Sequence, residues 1–203
     1  VKEIVVNVDP FSSQTKITSL AGIEYFPNLT VLECESNSLA GLDVTKNKKL
    51  QELNCDKNNL QSLDVSQNTE LIKLQCRYNQ LPGLDVTENT NLQKLWIYEN
   101  QISSIDLSKN TELEGLHVYN TQVTALDLSN MTNLTTLACY NNNLTSLNIS
   151  GDTALKTLSC YQNRLTSLDI GDSSELTDVS CSQNGITELD LSQNTQLENL
   201  HCA

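Results

Sequence analysis

The chain has 203 residues with a formal net charge of −13 at pH 7, and it contains no apolar run of the ~18 residues that a membrane-spanning helix needs. This acidic balance argues against nucleic acid and anionic membrane as partners, because both require a basic face on the protein. The chain has seven cysteines, an odd number, so a fully paired set of disulfides within one chain is excluded.

The segment 1–28 predicts an atypical N-terminal coil. Ile4 and Val6 suggest a first strand, and the segment 7–15, which contains Asp9 followed by Pro10, predicts a loop insertion. No signal peptide is visible at the start, so we expect a chain that is mature, trimmed or cytosolic.

From position 29 onward the sequence is a tandem array of 21-residue units. The unit reads LxxLxCxxNxLxxLD(V/L/I)(S/T)xNxx, with eight copies over 29–196 and a partial ninth copy over 197–203. A unit this short cannot bury its own apolar face, so consecutive units must stack. Alternation around Leu32 and Cys34 predicts a short strand, and stacked copies of it predict a parallel sheet. We expect short strands or 3-10 turns on the far side and little or no α-helix.

Two stretches show the pattern most clearly. LTVLECESNSL (29–39) and LQELNCDKNNL (50–60) fit LxxLxLxxNxL with cysteine in place of the third leucine. On these residues the chain resembles leucine-rich repeat proteins, and its cysteine column is similar to that of the internalin-J-like subclass of bacterial surface proteins. The resemblance implies a β-rich solenoid of the α/β horseshoe class, an extracellular location at the bacterial cell surface and adhesion-type recognition. It is specific for fold rather than function, because such folds present sites without dictating them.

Two columns of the repeat are predicted to form structural ladders. A thiol that recurs once per coil behaves as a small hydrophobe, so we interpret the cysteines as buried packing, with disulfides between coils as the alternative. The asparagine three residues later offers donors and an acceptor to the backbone of a turn. The predicted ladders are Cys34, Cys55, Cys76, Cys139, Cys160, Cys181 and Cys202, and Asn37, Asn58, Asn79, Asn100, Asn142, Asn163 and Asn184.

An aspartate column runs along the second half of the unit, from Asp43 to Asp190. An aspartate followed by an apolar residue and then serine or threonine predicts a turn in which the carboxylate accepts local backbone hydrogen bonds. Calcium bridging between coils is the alternative, since carboxylates are hard oxygen ligands.

The positions that alternate with the buried leucines face outward and vary from coil to coil. One of these columns exposes a tyrosine in four consecutive coils, with the single tryptophan beside it. We call the five rings the aromatic strip: Trp96, Tyr98, Tyr119, Tyr140 and Tyr161. Stacked rings can serve stability alone, but tyrosine and tryptophan also supply stiff contact area with a polar handle. We therefore interpret the strip as a binding surface.

Charged and polar residues flank the aromatic strip. His117, Arg77 and Lys94 are predicted to orient polar groups of a ligand. Glutamates and an aspartate precede the basic residues along the same face, so we expect charge to be polarised along its length. These acidic residues are Glu33, Glu35, Glu52 and Asp56.

The sequence thus predicts a non-enzymatic module that binds a protein partner through the aromatic strip. It shows no phosphate-binding loop, metal-ligand spacing or catalytic triad, so no cofactor, metal or catalytic residue is predicted. A carbohydrate-binding module and a structural spacer without a ligand are the alternatives. We expect a monomer, with end-to-end contacts as the other arrangement. Because the last copy is partial, we also expect the natural protein to be longer.

Overall fold

The protein is described here by a computed structural model that covers residues 1–9 and 15–203. Residues 10–14 belong to the predicted loop over 7–15 and lie outside the described residues. No helix in the described part of the chain is long and apolar enough to cross a membrane.

Short strands, each of three residues, recur along the described chain, and one 3-10 helix accompanies them. No α-helix occurs within residues 1–9 and 15–203. The strands are β1 (Glu3–Val5), β2 (Val31–Glu33), β3 (Glu52–Asn54), β4 (Lys73–Gln75), β5 (Lys94–Trp96), β6 (Gly115–His117), β7 (Ala125–Asp127), β8 (Thr136–Ala138), β9 (Ser146–Asn148), β10 (Thr157–Ser159), β11 (Asp178–Ser180) and β12 (Asn199–His201), and the 3-10 helix is Ile23–Tyr25.

The strands stack into the parallel solenoid that the period predicts. Ten of them form one sheet in the order β1-β2-β3-β4-β5-β6-β8-β10-β11-β12, and β7 pairs with β9 in a second sheet. Within the larger sheet Leu32 pairs with Leu53, one period away. The predicted fold class, a β-rich leucine-rich-repeat solenoid, is confirmed.

The N-terminal coil joins the same sheet, with Ile4 opposite Leu32. Pairing extends past β1, because the N–H groups of Val6 and Val8 donate to the carbonyls of Glu33 and Glu35 at 2.7 and 3.0 Å. Val8, which lies within the predicted loop over 7–15, thus still bonds to the sheet edge.

The core lies between the sheet and the far-side turns and forms one continuous cluster of buried leucines and cysteines. Cys34 through Cys181 are buried free thiols, so the disulfide alternative is not what the structure contains. Burial raises the pKa of Cys34 and Cys160 to about 12, which keeps both thiols protonated. Cys202, the last member of the predicted ladder, lies in the partial ninth copy and is exposed.

The first asparagine column ties consecutive coils together. Asn58 Nδ2 donates to the carbonyls of Cys34, Cys55 and Asp56 at 3.0–3.1 Å. Its Oδ1 accepts the N–H of Leu39 at 3.0 Å. One amide thus bonds to backbone groups of two consecutive coils, among them the carbonyls of Cys34 and Cys55 and the N–H of Leu39.

The residue before each of these asparagines, and before Thr121 in the same column, has a left-handed backbone. Positive φ values of 50–62° recur at this point of every coil from the second strand onward, and the chain thereby turns out of the sheet. The residues are Ser36, Lys57, Tyr78, Glu99, Asn120, Asn141, Gln162 and Gln183.

The aspartate column makes local turns. Asp43 Oδ1 accepts both the N–H and the hydroxyl of Thr45, at 3.0 and 2.7 Å. These hydrogen bonds lower the pKa of the Asp43 carboxyl. The same backbone bond recurs at Asp64 and Asp106, as the turn interpretation predicts. No group of three acidic, histidine or cysteine residues in the described chain is arranged to hold a metal ion.

Candidate functional site

The aromatic strip is one continuous array on the exposed face of the larger sheet. In-register stacking of coils brings Tyr98 and Tyr119 to a ring separation of 4.0 Å and an interplanar angle of 16°. Tyr119 and Tyr140 follow at 4.2 Å and 12°, and Tyr140 and Tyr161 at 4.5 Å and 6°. Each inner ring is therefore covered on both faces by its neighbours and offers mainly its edge and hydroxyl to a partner.

Exposure is uneven along the strip. Tyr119, Tyr140 and Tyr161 are half-buried, but Tyr98 is only 8% exposed. The expectation that all four tyrosines are exposed is thus wrong at Tyr98. Tyr78 covers it edge-on, with ring centroids 5.6 Å apart, and is itself 46% exposed. Sequence reasoning missed Tyr78, because strand alternation says nothing about a residue beyond the strand end.

Trp96 and His117 form a second ring pair beside the tyrosines. Their rings stack at 5.7 Å and 30°. Lys73 Nζ and the Arg77 guanidinium lie 5.7 and 5.3 Å from the Trp96 ring centre, within reach of cation–π attraction. Burial, with the Arg77 charge as a second cause, lowers the pKa of His117, which favours a neutral imidazole at neutral pH.

Arg77 holds the N-terminal end of the strip in place. It forms an ion pair with the fully buried Asp56, and its backbone N–H donates to the same carboxylate at 2.6 Å. Its Nη1 donates to the Tyr98 hydroxyl at 2.9 Å. Burial raises the pKa of Asp56, and the hydrogen bonds and charge of Arg77 oppose that shift. Within the chain, Arg77 therefore joins a buried carboxylate to the first tyrosine.

The expected polarisation of charge along this face is wrong. Lys57 pairs with Glu35 at 3.1 Å and Lys73 with Glu52 at 3.9 Å, so acidic and basic residues of adjacent coils neutralise each other. Lys94 is exposed and makes no ion pair with any described residue. It remains as a free positive charge next to Trp96.

A row of polar side chains follows the strip on the side beyond the strand ends. Asn120 Nδ2 donates to Glu99 Oε1, and Asn141 Nδ2 donates to Asn120 Oδ1, both at 2.5 Å. The row lines a shallow pocket of about 410 Å³ together with Thr121, Asn142 and Asn143. The sequence signal for the row is the asparagine that follows both Tyr119 and Tyr140.

Solved structures that resemble this chain are leucine-rich repeat proteins. The functional domain of InlJ from Listeria monocytogenes, which includes a cysteine ladder, is 40% identical with a TM-score of 0.89 over 93% of this chain and 42% of that one. A leucine-rich repeat protein of Leptospira interrogans is 24% identical with a TM-score of 0.70, over 93% of this chain and 58% of that one. A chain of the octameric complex of Latrophilin 3, Unc5D and the leucine-rich repeats of FLRT2 is 22% identical with a TM-score of 0.70, over 85% of this chain and 61% of that one.

These likenesses differ in what they show. The two at 24% and 22% identity show the fold alone. The chain spans less than half the length of the InlJ structure, at 42%. No protein-family model matches the chain, and no curated protein matches it. The 21-residue coils, the buried cysteine column and the 40% identity to InlJ together show that the chain belongs to the internalin-J-like, cysteine-ladder subclass of leucine-rich repeat proteins.

Proposed function

We propose that this chain is a non-enzymatic recognition module, secreted or displayed at a bacterial surface, that binds a protein partner through the edge of the aromatic strip. The observation that carries the proposal is the fixed ring array, with neighbouring tyrosines stacked 4.0–4.5 Å apart. Paired strands hold these rings before any partner arrives, so little side-chain entropy is lost on binding.

The relatives support a role in protein recognition. The relative that is 40% identical, the InlJ domain, is a leucine-rich repeat domain of the internalin type. The leucine-rich repeats of FLRT2 belong to an octameric assembly with two other proteins. The same likeness to internalins supports a location outside the bacterial cell.

The geometry favours a protein over a glycan as the partner. Sugar rings bind aromatic residues by lying on an open ring face, but both faces of Tyr119 and Tyr140 are taken by their neighbours. The Trp96 ring carries His117 at 5.7 Å and the Arg77 guanidinium at 5.3 Å. Ring edges and hydroxyls are suited instead to the mixed apolar and polar contacts of a protein interface.

A test can compare the strip with an exposed ring elsewhere on the molecule. The double variant Trp96→Ala, Tyr161→Ala removes rings at both ends of the strip and leaves the central stack in place. Tyr25→Ala, which deletes a tyrosine that is 80% exposed outside the sheet, is the matched control. Binding would be measured on a protein array beside a glycan array.

We expect the double variant to lose about tenfold or more in binding to the protein hits, because tryptophan and tyrosine are enriched among the few residues that carry most of the affinity of an interface. The Tyr25→Ala control should bind as the wild type does. Undiminished protein binding by a double variant that keeps its melting temperature, or hits confined to the glycan array, would refute the proposal.

A further inference from the structure

We propose that the pocket at Glu99, Asn120 and Asn141 receives a basic side chain, arginine or lysine, of the protein partner. The inference rests on the proposed function, since it names the chemistry of the partner that would contact the neighbouring aromatic strip. The pocket has a volume of about 410 Å³, room enough for the end of one long side chain.

The three residues meet because their backbones are alike. Glu99, Asn120 and Asn141 occupy the same point of three consecutive coils, with φ values of 56°, 50° and 51°. Coils that stack in register with equal backbone angles project their side chains side by side. Each lies one residue beyond a tyrosine of the strip, so a partner that touches the ring edges lies next to the pocket.

The carboxylate at one end orients the whole row. An ionised carboxylate can only accept hydrogen bonds, so Glu99 Oε1 must receive the Nδ2 group of Asn120. The Oδ1 of Asn120 is then turned toward Asn141, which donates its own Nδ2. Asn141 consequently presents its Oδ1 at the open end of the row, and the side chain is exposed there.

The other wall of the pocket is also short of free donors. Asn142 Nδ2 donates to the carbonyls of Val118 and Cys139 at 2.9 and 3.0 Å. The N–H of Thr121 donates to Asn142 Oδ1 at 2.9 Å. With these groups bonded to one another, the acceptors that the row offers to the pocket are the Glu99 carboxylate and the Asn141 Oδ1.

Glu99 is also a charge that has no counter-ion among the described residues. The ion pairs in that part of the chain join other acids, namely Glu35, Glu52 and Asp56, to their cations. One negative charge in a row that ends on the amide oxygen of Asn141 matches a ligand group that carries a positive charge and several N–H donors. Guanidinium and ammonium groups meet that description, and the net charge of −13 favours basic partners.

The test uses N-acetyl-arginine amide as the probe and N-acetyl-citrulline amide as its neutral isostere. Both would be titrated into the full ¹⁵N-labelled chain while the side-chain amide resonances of Asn120 and Asn141 are followed. We expect the arginine probe to shift these resonances with an affinity in the millimolar range, and the citrulline probe to bind at least severalfold more weakly. Glu99→Gln should weaken arginine binding about fivefold, as expected for one exposed charge pair.

Glu114→Gln is the control, because Glu114 is an exposed glutamate outside the pocket and should leave the titration unchanged. The proposal is overturned if citrulline or N-acetylglucosamine shifts the same amides as strongly, if Glu99→Gln binds arginine like the wild type, or if no shift occurs.

The two proposals fail separately. Glu99→Gln leaves every ring of the aromatic strip in place, and the Trp96→Ala, Tyr161→Ala variant leaves the pocket in place. If the strip variant loses the protein partner while Glu99→Gln keeps both the partner and the arginine probe, the strip proposal stands and the pocket proposal falls. If Glu99→Gln loses the arginine probe and the strip variant keeps its partner, the reverse holds.

Discussion

Two asparagine columns run the length of the solenoid, and their amides are bonded to different extents. In the column at the strand ends, Asn58 uses both ends of its amide, donating to three carbonyls and accepting the N–H of Leu39. In the far-side column, Asn68 Nδ2 donates to the carbonyls of Val44 and Asn47 at 3.0 and 2.9 Å, but its buried Oδ1 has no partner in the described part of the chain.

The difference explains which column tolerates substitution within this one chain. The strand-end column departs from asparagine only at Thr121, since any other residue leaves several buried backbone groups unpaired. The far-side column changes to Met131, Asp152 and Ser173 in successive coils. A half-bonded amide gives up fewer hydrogen bonds when it is replaced, so the cost of change there is lower.

The largest effect we predict is the loss of a fully bonded amide. Asn58→Ala should lower the free energy of unfolding by about 3 kcal/mol, because buried carbonyls and one buried N–H lose their partner. Asn68→Ala should cost about half as much. Urea denaturation followed by circular dichroism measures both, with the exposed Asn59→Ala as control. Equal losses at the two positions would show that the unpaired Oδ1 does not matter.

A second prediction concerns pH and the far-side column at Asp152. Burial raises the pKa of its carboxyl to about 7, with one oxygen accepting the N–H of Met131 and the other unpartnered among the residues described. Because the pKa of Asp152 is higher in the folded than in the unfolded chain, its protonated carboxyl contributes to stability. This contribution is complete below about pH 4 and is lost as the pH rises through 7. We expect the wild type to lose about 2 kcal/mol relative to Asp152→Asn between pH 5 and pH 8.

Asp152→Asn is a matched comparison because asparagine stands at this position in most of the other coils. Asn110, for example, donates to the carbonyls of Val86 and Asn89. All other titrating groups cancel in the difference between the two proteins. Parallel curves of stability against pH for wild type and variant would mean that Asp152 stays ionised in the fold.

The smallest effect we predict is a gain at the one break in the strand-end column. The Thr121 hydroxyl donates to the carbonyl of Val118 at 2.9 Å, but the short side chain does not also reach the backbone of the preceding coil. Thr121→Asn would supply an acceptor for the N–H of Ile102, as Asn100 does for Leu81. We expect about 1 kcal/mol of added stability in the same urea experiment. Thr124→Asn, at an exposed position nearby, should change nothing.

Sequence reasoning recovered the fold and the inward columns because each is repeated once per coil. It misjudged Tyr98, whose exposure depends on Arg77 and Tyr78 lying against it, and it misread the charged residues as a gradient. Glu35 and Lys57 lie in different coils, and only the stacking of those coils makes them a pair at 3.1 Å. The polar row at Glu99 escaped notice because a left-handed turn places it outside strand alternation.

By itself the sequence determined the period, the parallel sheet and the identity of the buried residues, because so short a repeating unit has no other way to cover its leucines. The tertiary structure decided how the outward residues combine. Stacking of the coils covers the faces of the inner tyrosine rings, and it places Arg77 in an ion pair with Asp56. It also turned Glu99, Asn120 and Asn141 into one oriented row, since side-chain contacts between coils depend on distances that a linear pattern does not contain.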